Sequence, residues 1–200
     1  MTTSPKALRA DAVRNRDLLL SAAEEEFFEH GIDASIADIA KRAGVAKGTV
    51  FRHFATKDDL IAAIVNVHMA ILTTSAHRLR EAPDAGAALL EFLTLAADRR
   101  QQRDVTFLMS ASASNAAVTN LRDELFAHVG FLVQRARDAG AIRPDITGTD
   151  VFLLICAPVH TMEYLADPPP DVWRRYLGII FDGMRPEGAT PLPRPAPSWP

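Results

Sequence analysis

Residues 31–60, GIDASIADIAKRAGVAKGTVFRHFATKDDL, hold the pattern that decides the fold of this chain. Ser35 is a favourable N-cap, and Asp38 three residues later lies where a carboxylate interacts favourably with the helix dipole. Apolar residues then recur at helical spacing, at Ile36, Ile39, Ala40 and Ala43. Gly44 suits a helix end, where a left-handed residue is common. The stretch predicts a short helix that ends in a tight turn.

A second short helix is predicted from Lys47 to His53. Val50 and Phe54 lie at helical spacing and are expected to face inward, after Val45 has filled the gap between the two helices. The residues left for the outer surface are Lys47, Gly48, Thr49, Phe51, Arg52 and His53.

The charge of this stretch has one sign. From residue 40 to residue 57 the basic residues are Lys41, Arg42, Lys47, Arg52 and Lys57, and there is no acid. A protein surface that neutralises DNA phosphates must be positively charged throughout. A helix that enters the major groove also needs small residues, such as Gly48 and Thr49, at its leading end. A helical hairpin with a solvated basic face is the alternative. Because caps, turn, charge and packing agree, we favour a DNA-binding helix-turn-helix.

The same residues resemble the tetracycline-repressor (TetR) family of bacterial transcriptional regulators over roughly residues 9–65. The resemblance is carried by His30-Gly31, Ser35, Asp38-Ile39-Ala40, Ala43-Gly44-Val45, Gly48-Thr49-Val50-Phe51-Arg52-His53-Phe54 and Lys57. It implies phosphate contacts on double-stranded DNA by Ser35, Thr49, Phe51, His53 and Lys57. It implies that the residues facing base edges are Lys47, Gly48 and Arg52.

One residue departs from the family pattern. The family usually has tyrosine at position 51, whereas Phe51 has no hydroxyl. We therefore expect a phosphate hydrogen bond to be lost there, while apolar contact with a thymine methyl group remains available.

The charge distribution supports a basic reading surface more than the net charge of −3 does. Residues 1–57 carry nine Lys/Arg and eight Asp/Glu, whereas the remainder carries thirteen Arg and seventeen Asp/Glu. The acids of the first part cluster at Glu24, Glu25, Glu26 and Glu29. We expect this cluster to form a solvated face of the first helix, away from the reading helix.

Several classes of function find no support in the sequence. The single cysteine, Cys156, rules out an intrachain disulfide framework and fits a reducing cytoplasm. The apolar run around it has nine residues, too few to span a bilayer, and no signal peptide is apparent. The six histidines show no metal-ligand spacing, so neither metal nor cofactor is predicted. No nucleophile elbow, phosphate loop or HExxH pattern indicates an enzyme.

The remaining sequence predicts an all-α protein. We expect a flexible basic arm at residues 1–10, a three-helix DNA-binding domain at 11–56, a helical domain at 57–184 and a disordered Pro-rich tail at 185–200. Thr147 and Asp150 resemble a capping box that opens a helix over about residues 149–166. Pro158 inside that helix is expected to kink it or to leave a carbonyl free.

The resemblance implies that the second domain binds a small molecule and forms a homodimer. Asp171–Leu177 and Asp182–Arg185 are similar to the SbtR-like subgroup of the family. Two helices near the C-terminus also carry more apolar surface than one face needs, which favours a two-fold interface. Candidate ligand-binding residues are Phe92, Phe107, Met109, Phe126, His128, Phe131, His160, Met162 and Tyr164; for each of them an ordinary place in the core is the alternative and the more common role.

These features predict a repressor that binds a palindromic operator as a dimer and is released by an unidentified small-molecule effector. The sign of the ligand effect comes from the family resemblance. The alternative is a ligand-independent DNA-binding or interaction protein of the same fold.

Overall fold

The computed structural model describes residues 5–102 and 105–198. Within these ranges the chain is helical and has no strand. The helices of the N-terminal half are α1 (Pro5–His30), α2 (Ile36–Arg42), α3 (Lys47–His53), α4 (Lys57–Leu79) and α5 (Ala85–Gln102). Those of the C-terminal half are α6 (Thr106–Ala111), α7 (Ala116–Asp138), α8 (Gly148–Leu154), α9 (Ala157–His160) and α10 (Trp173–Gly183). Two 3₁₀ turns lie at Gly31–Asp33 and Thr161–Tyr164.

The chain divides into two compact units. The head unit comprises Met1–His68 and Thr106–Thr119, and the body unit comprises Met69–Val105 and Asn120–Pro200. The boundary at residue 57 that we predicted would place all of α4 in the second domain, yet α4 begins in the head unit and ends in the body unit. Helix α6 belongs to the head unit because it contacts the 3₁₀ turn Gly31–Asp33.

Helix α1 begins earlier than the sequence predicted. We expected an arm through residue 10, but the helix starts at Pro5. Proline is favoured in the first turn of a helix, where its missing N–H costs nothing, and the alanines that follow are strong helix formers. Residues 1–4 of the predicted arm lie outside the described part of the chain.

The head unit packs around one face of α1. Leu19, Ala23 and Phe27 recur every four residues and are all fully buried. The buried apolar residues that the following helices contribute include Ile39, Ala40, Val50, Phe54, Leu60 and Ile64. The inward residues predicted for α3, Val50 and Phe54, are therefore correct, and of the face predicted for α2 Ile39 and Ala40 are buried while Ile36 and Ala43 are half-buried.

The body unit packs around α5, α9 and α10, which contact one another. Helix α10 presents Trp173, Leu177 and Phe181 at i, i+4 and i+8, and all three are buried. Arg135 of α7 donates hydrogen bonds to the carbonyls of Leu79 (3.2 Å) and Ala82 (2.7 Å), which ties α7 to the C-terminal end of α4 and the residues after it.

The helix predicted over residues 149–166 is interrupted in the structure. The Thr147–Asp150 capping box is present and opens α8, but α8 ends at Leu154 and the chain continues as α9 and a 3₁₀ turn. Pro158 has no N–H to donate to the carbonyl of Leu154, its i−4 partner, so the hydrogen-bond ladder cannot continue through this point. The disruption expected at Pro158 is therefore present, but the extent predicted for the helix, residues 149–166, was wrong because the chain forms separate short helices there.

Part of the Pro-rich tail is bound to the body unit. Buried Arg143 pairs with Asp145, Nε to Oδ1 at 2.6 Å, and also donates to the carbonyl of Thr190. The side-chain hydrogen bond from Arg143 lowers the pKa of the Asp145 carboxyl, and a backbone hydrogen bond from Leu192 lowers it further. The prediction of a disordered tail therefore missed this contact, which joins residues 47 positions apart in the sequence.

Helix α4 is long and apolar enough to cross a membrane by length and composition, a possibility that the sequence analysis overlooked. In this structure 44% of its most apolar window is buried inside the protein. Leu60 and Ile64 belong to the head core, as expected of a core helix in a globular domain.

Candidate nucleic-acid interface

The turn between α2 and α3 has the geometry that the sequence predicted. Ser35 caps α2, since its Oγ accepts from the Asp38 amide at 3.2 Å. Gly44 has φ +68°, the left-handed region that favours glycine, and the amide of Val45 donates to the carbonyl of Ala40 at 3.0 Å. Helix α3 then starts at Lys47, three residues after Gly44.

Helix α3 has one buried face and one exposed face. Val50 is 1% exposed and Phe54 is 4% exposed. The exposed residues are Lys47, Gly48, Phe51 and Arg52, while Thr49 and His53 are half-buried. The predicted contact residues of α3 therefore lie on or at the edge of one surface, and exposed Ser35 stands at the start of α2.

Phe51 is 46% exposed, high for a large aromatic side chain. The Lys47 ammonium lies 5.9 Å from the centre of its ring. The two side chains give the exposed face a cation beside an apolar surface. A cation of this kind is suited to a phosphate, and an apolar surface of this kind is suited to a thymine methyl group.

Arg42 does not belong to the basic surface, although the sequence counted it there. Its guanidinium binds three carboxylates of α1, those of Glu25, Glu26 and Glu29. The hydrogen bond from Arg42 to Glu29 is the main reason that the pKa of Arg42 is raised and that of the Glu29 carboxyl is lowered. The positive charge of Arg42 is thus already neutralised within the head.

The acidic cluster of α1 therefore has a role that the sequence analysis missed. We predicted a solvated face away from the reading helix, whereas Glu25, Glu26 and Glu29 bind the last residue of α2. That prediction was wrong because it considered only the helix on which these acids lie. The signal available in the sequence was their spacing, which puts three carboxylates on adjacent turns.

Glu26, Glu29 and His30 also approach one another closely enough to suggest a metal site, with ligand atoms within 4.8 Å. Glu26 accepts from Arg42 at 2.6 Å and pairs with His30 Nδ1 at 3.1 Å, and Glu29 binds Arg42 through both carboxylate oxygens. Their oxygens are therefore occupied by cationic and imidazole groups of the protein. We interpret the group as an ion-pair cluster.

Lys57, expected at a phosphate, makes contacts within the head. Its Nζ donates to the carbonyl of Ile32 and lies 5.6 Å from the centre of the Phe27 ring. The side chain is half-buried and joins the start of α4 to the end of α1. An ammonium has three donors, so this contact leaves donors for a phosphate.

The candidate ligand-binding residues do not share one environment. Phe92 and Met162 are buried, whereas Phe131 is 40% exposed beneath Arg80 and Tyr164 is 82% exposed against the ring of His160. His128 is half-buried and lies edge-on to His77. Phe126 is half-buried in the body unit; Phe107 and Met109 of α6 are half-buried in the head unit.

Comparison with known proteins identifies the family. Residues 19–64 match the bacterial regulatory proteins of the tetR family, and residues 84–186, more than half of the chain, match the C-terminal domain of SbtR-like transcriptional regulators. The chain belongs to the TetR family. The predicted resemblance is confirmed for both the N-terminal head and the SbtR-like C-terminal domain.

Individual relatives are also transcriptional regulators by name. The HTH-type transcriptional regulator UidR of Escherichia coli is 31% identical over 150 residues, which make up 70% of this chain and 74% of UidR. The HTH-type transcriptional repressor Rv3405c of Mycobacterium tuberculosis is 44% identical over 71 residues, 33% of this chain. That match spans only 38% of the repressor.

The fold is shared with solved members of the family. The crystal structure of the TetR transcription regulatory protein from Mycobacterium vanbaalenii has a TM-score of 0.61 and 29% sequence identity, and the match covers 89% of this chain and 99% of that one. The predicted fold class, all-α with an N-terminal helix-turn-helix and a C-terminal helical domain, is confirmed.

The contact of Lys57 with Ile32 leads to a stability prediction. We expect Lys57→Met to lower the free energy of unfolding by about 1 kcal/mol, because it removes the hydrogen bond to Ile32 and the cation near the Phe27 ring and keeps a side chain of similar length. Urea unfolding followed by circular dichroism measures this change. Lys41→Met, at an exposed lysine of α2, is the matched control and is expected to change little. Equal effects of the two substitutions would contradict a structural role for Lys57.

Proposed function

We propose that this TetR-family protein represses transcription by binding a palindromic DNA operator as a homodimer in the cytoplasm, and that a small molecule releases it. The observation that carries the proposal is the division of the α3 region into a buried face and an exposed face. Val50 and Phe54 are buried, while Lys47, Phe51 and Arg52 are exposed beside a glycine, Gly48. A helix that packs on the protein through its inner face and is basic on its outer face is suited to binding in the DNA major groove.

The exposed residues divide by chemistry into two roles. Lys47 and Arg52 are long donors suited to guanine O6 and N7, and Gly48 allows the helix backbone close to the bases. Ser35, Thr49, His53 and Lys57 carry hydroxyl, imidazole or ammonium donors for phosphate oxygens, and Phe51 offers apolar contact only. The space beside the Cα of Gly48 is open, since a Cβ built there meets no atom within 4 Å.

Selection of fragmented genomic DNA by the purified protein, followed by sequencing, tests the reading role. We expect enrichment of one palindrome whose half-sites are about one helical turn apart, roughly 34 Å. Lys47→Ala should change the preferred base at one position in each half-site. Arg185→Ala, which removes the same charge from an exposed site after α10, should select the wild-type sequence. Salt-sensitive binding to all fragments without enrichment would contradict sequence-specific regulation.

An exposed apolar face on the body unit supports dimerisation. Leu153 of α8 is 54% exposed, and Ile179 and Tyr176 of α10 are 57% and 37% exposed. The same two helices also carry the apolar residues Val151, Trp173 and Phe181. All three are buried within the protomer and are not available to a partner. The proposed two-fold interface therefore uses the outward residues of α8 and α10.

Substitution at this face tests the dimer. Ile179→Glu should convert the protein to a monomer, because a carboxylate would be buried against its own symmetry mate without a partner. Analytical ultracentrifugation measures the oligomeric state, and operator affinity should fall at least about tenfold once the two heads are uncoupled. Leu192→Glu, at a similarly exposed apolar residue of the tail, is the control. A wild-type protein that is monomeric at operator-binding concentrations would rule the interface out.

The path proposed for the ligand signal runs through α4 and α6. Helix α6 contacts the 3₁₀ turn Gly31–Asp33, which follows α1 in the head. Phe107 and Met109 on α6 are among the candidate ligand-binding residues, so a ligand held by them would act on a helix that already contacts the head. Helix α4 is continuous from the head unit into the body unit. A ligand that favours another position of these helices lowers DNA affinity by its coupling energy, typically about 1–3 kcal/mol.

A panel of small metabolites tests ligand release in two steps. A true effector should raise the melting temperature of the free protein by mass action, with about 2.7 kcal/mol of added stability at a hundredfold excess over Kd. The same compound should then release the labelled operator with a matching concentration dependence. Compounds that stabilise the protein and leave operator binding unchanged would favour the ligand-independent alternative.

A further inference from the structure

The contact between Arg42 and α1 joins one guanidinium to three carboxylates. Arg42 Nε donates to Glu26 Oε1 at 2.6 Å, and Nη1 donates to Glu29 Oε1 at 3.0 Å and to Glu25 Oε2 at 3.2 Å. Nη2 donates to the second oxygen of Glu29. Arg42 therefore binds Glu29 through two parallel hydrogen bonds, the strongest and most directional arrangement of this pair.

The cluster is partly shielded from water. The side chain of Glu26 is 8% exposed and that of Arg42 is 29% exposed. The other oxygen of Glu26 pairs with His30 Nδ1 at 3.1 Å, so both of its oxygens are used. A carboxylate so buried requires its cationic partner, since removing that partner leaves an uncompensated charge.

The position of Arg42 connects this cluster to the reading helix. Arg42 is the last residue of α2, two positions before Gly44, and α3 begins three residues after Gly44. Helix α2 contacts both α1 and α3. The angle at which α2 packs on α1 therefore determines where the short turn places α3. A planar guanidinium that binds three acids restricts this direction far more than a single ion pair does.

We infer that Arg42 is a positioning residue for DNA recognition: by binding Glu25, Glu26 and Glu29 it sets the orientation of α2 on α1 and hence the presentation of α3. Arg42 acts through α3 and makes no contact with DNA. The inference rests on the DNA-reading function proposed above. It goes beyond that function because it assigns DNA affinity to acidic residues, which by charge alone would oppose it.

The ionisation of the cluster is compatible with this role at neutral pH. Arg42 holds the pKa of the Glu29 carboxyl below its usual range. A carboxyl with a lowered pKa in the folded state contributes fully above the ordinary glutamate value of about 4.3, and the contribution is lost as pH falls through the lowered pKa. The contact is therefore complete at the pH of a cytoplasm.

Two pairs of variants separate positioning from net charge. Arg42→Gln and Lys41→Gln each remove one positive charge from neighbouring residues of α2. Glu29→Gln and Asp17→Asn each remove one negative charge from α1, where Asp17 is exposed. Charge alone predicts that the first pair weakens DNA binding equally and that the second pair strengthens it. Positioning predicts that Arg42→Gln and Glu29→Gln both weaken operator binding.

The measurement is the affinity of the full-length protein for its selected operator and for random DNA, across a range of salt concentrations. For Arg42→Gln and Glu29→Gln we expect operator affinity to fall about tenfold or more, as when one base contact is lost. Affinity for random DNA and the salt slope should stay near wild type, because no phosphate contact disappears. Arg42→Lys, which keeps the charge and loses the planar fork, should recover only part of the affinity.

Stability controls keep the test decisive. Glu29 is half exposed, so Glu29→Gln is expected to fold even where Arg42→Gln does not. The inference is overturned if Glu29→Gln binds the operator as tightly as wild type or tighter, or if Arg42→Gln lowers the salt slope by one unit. If the wild-type protein selects no operator, the proposed function and this inference both fail. If the wild type selects one and the variants follow charge alone, only the inference fails.

Discussion

The reading helix has seven residues, and helices shorter than about 12–15 residues are marginal in water. Helices α2 and α3 therefore exist only as parts of a packed head. Ile39, Val50 and Phe54 supply the packing, and each is almost fully buried. Every property of the exposed face, from the spacing of Lys47 and Arg52 to the exposure of Phe51, depends on this support. A head of this kind is sensitive to changes behind the reading surface as well as on it.

The charges of the head divide into two sets. Lys47 and Arg52 point outward, whereas Arg42 and Lys57 bind acceptors of the protein, the α1 carboxylates and the carbonyl of Ile32. Because the α1 carboxylates neutralise Arg42, the outward positive field is smaller than the number of basic residues suggests, whereas Lys57 keeps its charge beside a neutral carbonyl. A smaller field weakens the salt-dependent, sequence-independent part of DNA binding and leaves more of the discrimination to base contacts. The inward set joins the end of α2 and the start of α4 to α1 and the turn that follows it.

The body unit divides its apolar residues in the same way. Trp173, Leu177 and Phe181 lie on one side of α10 and are buried, while Tyr176 and Ile179 lie on the other side and are exposed. Helical register decides between the two sets, since residues three and four apart share a face. The break at Pro158 shortens α8 and α9, so the region before α10 consists of short segments.

The features that the sequence by itself determined are local. The Ser35 cap, the left-handed Gly44 and the limits of α3 were predictable because capping and turn chemistry act within about four residues. The buried faces of α1 and α3 were predictable because helical periodicity assigns each residue to a side of its own helix. The family motifs added the roles proposed for the exposed side chains.

The partners of charged residues were decided by tertiary structure alone. Arg42 binds acids 13 to 17 residues away, and Lys57 binds a carbonyl 25 residues away. Arg143 is joined to the tail across 47 residues. Periodicity tells which face of a helix a side chain occupies, but it does not tell which other helix lies opposite. For this reason a charge that looks solvated in sequence becomes, once α2 crosses α1, part of a shielded ion-pair cluster.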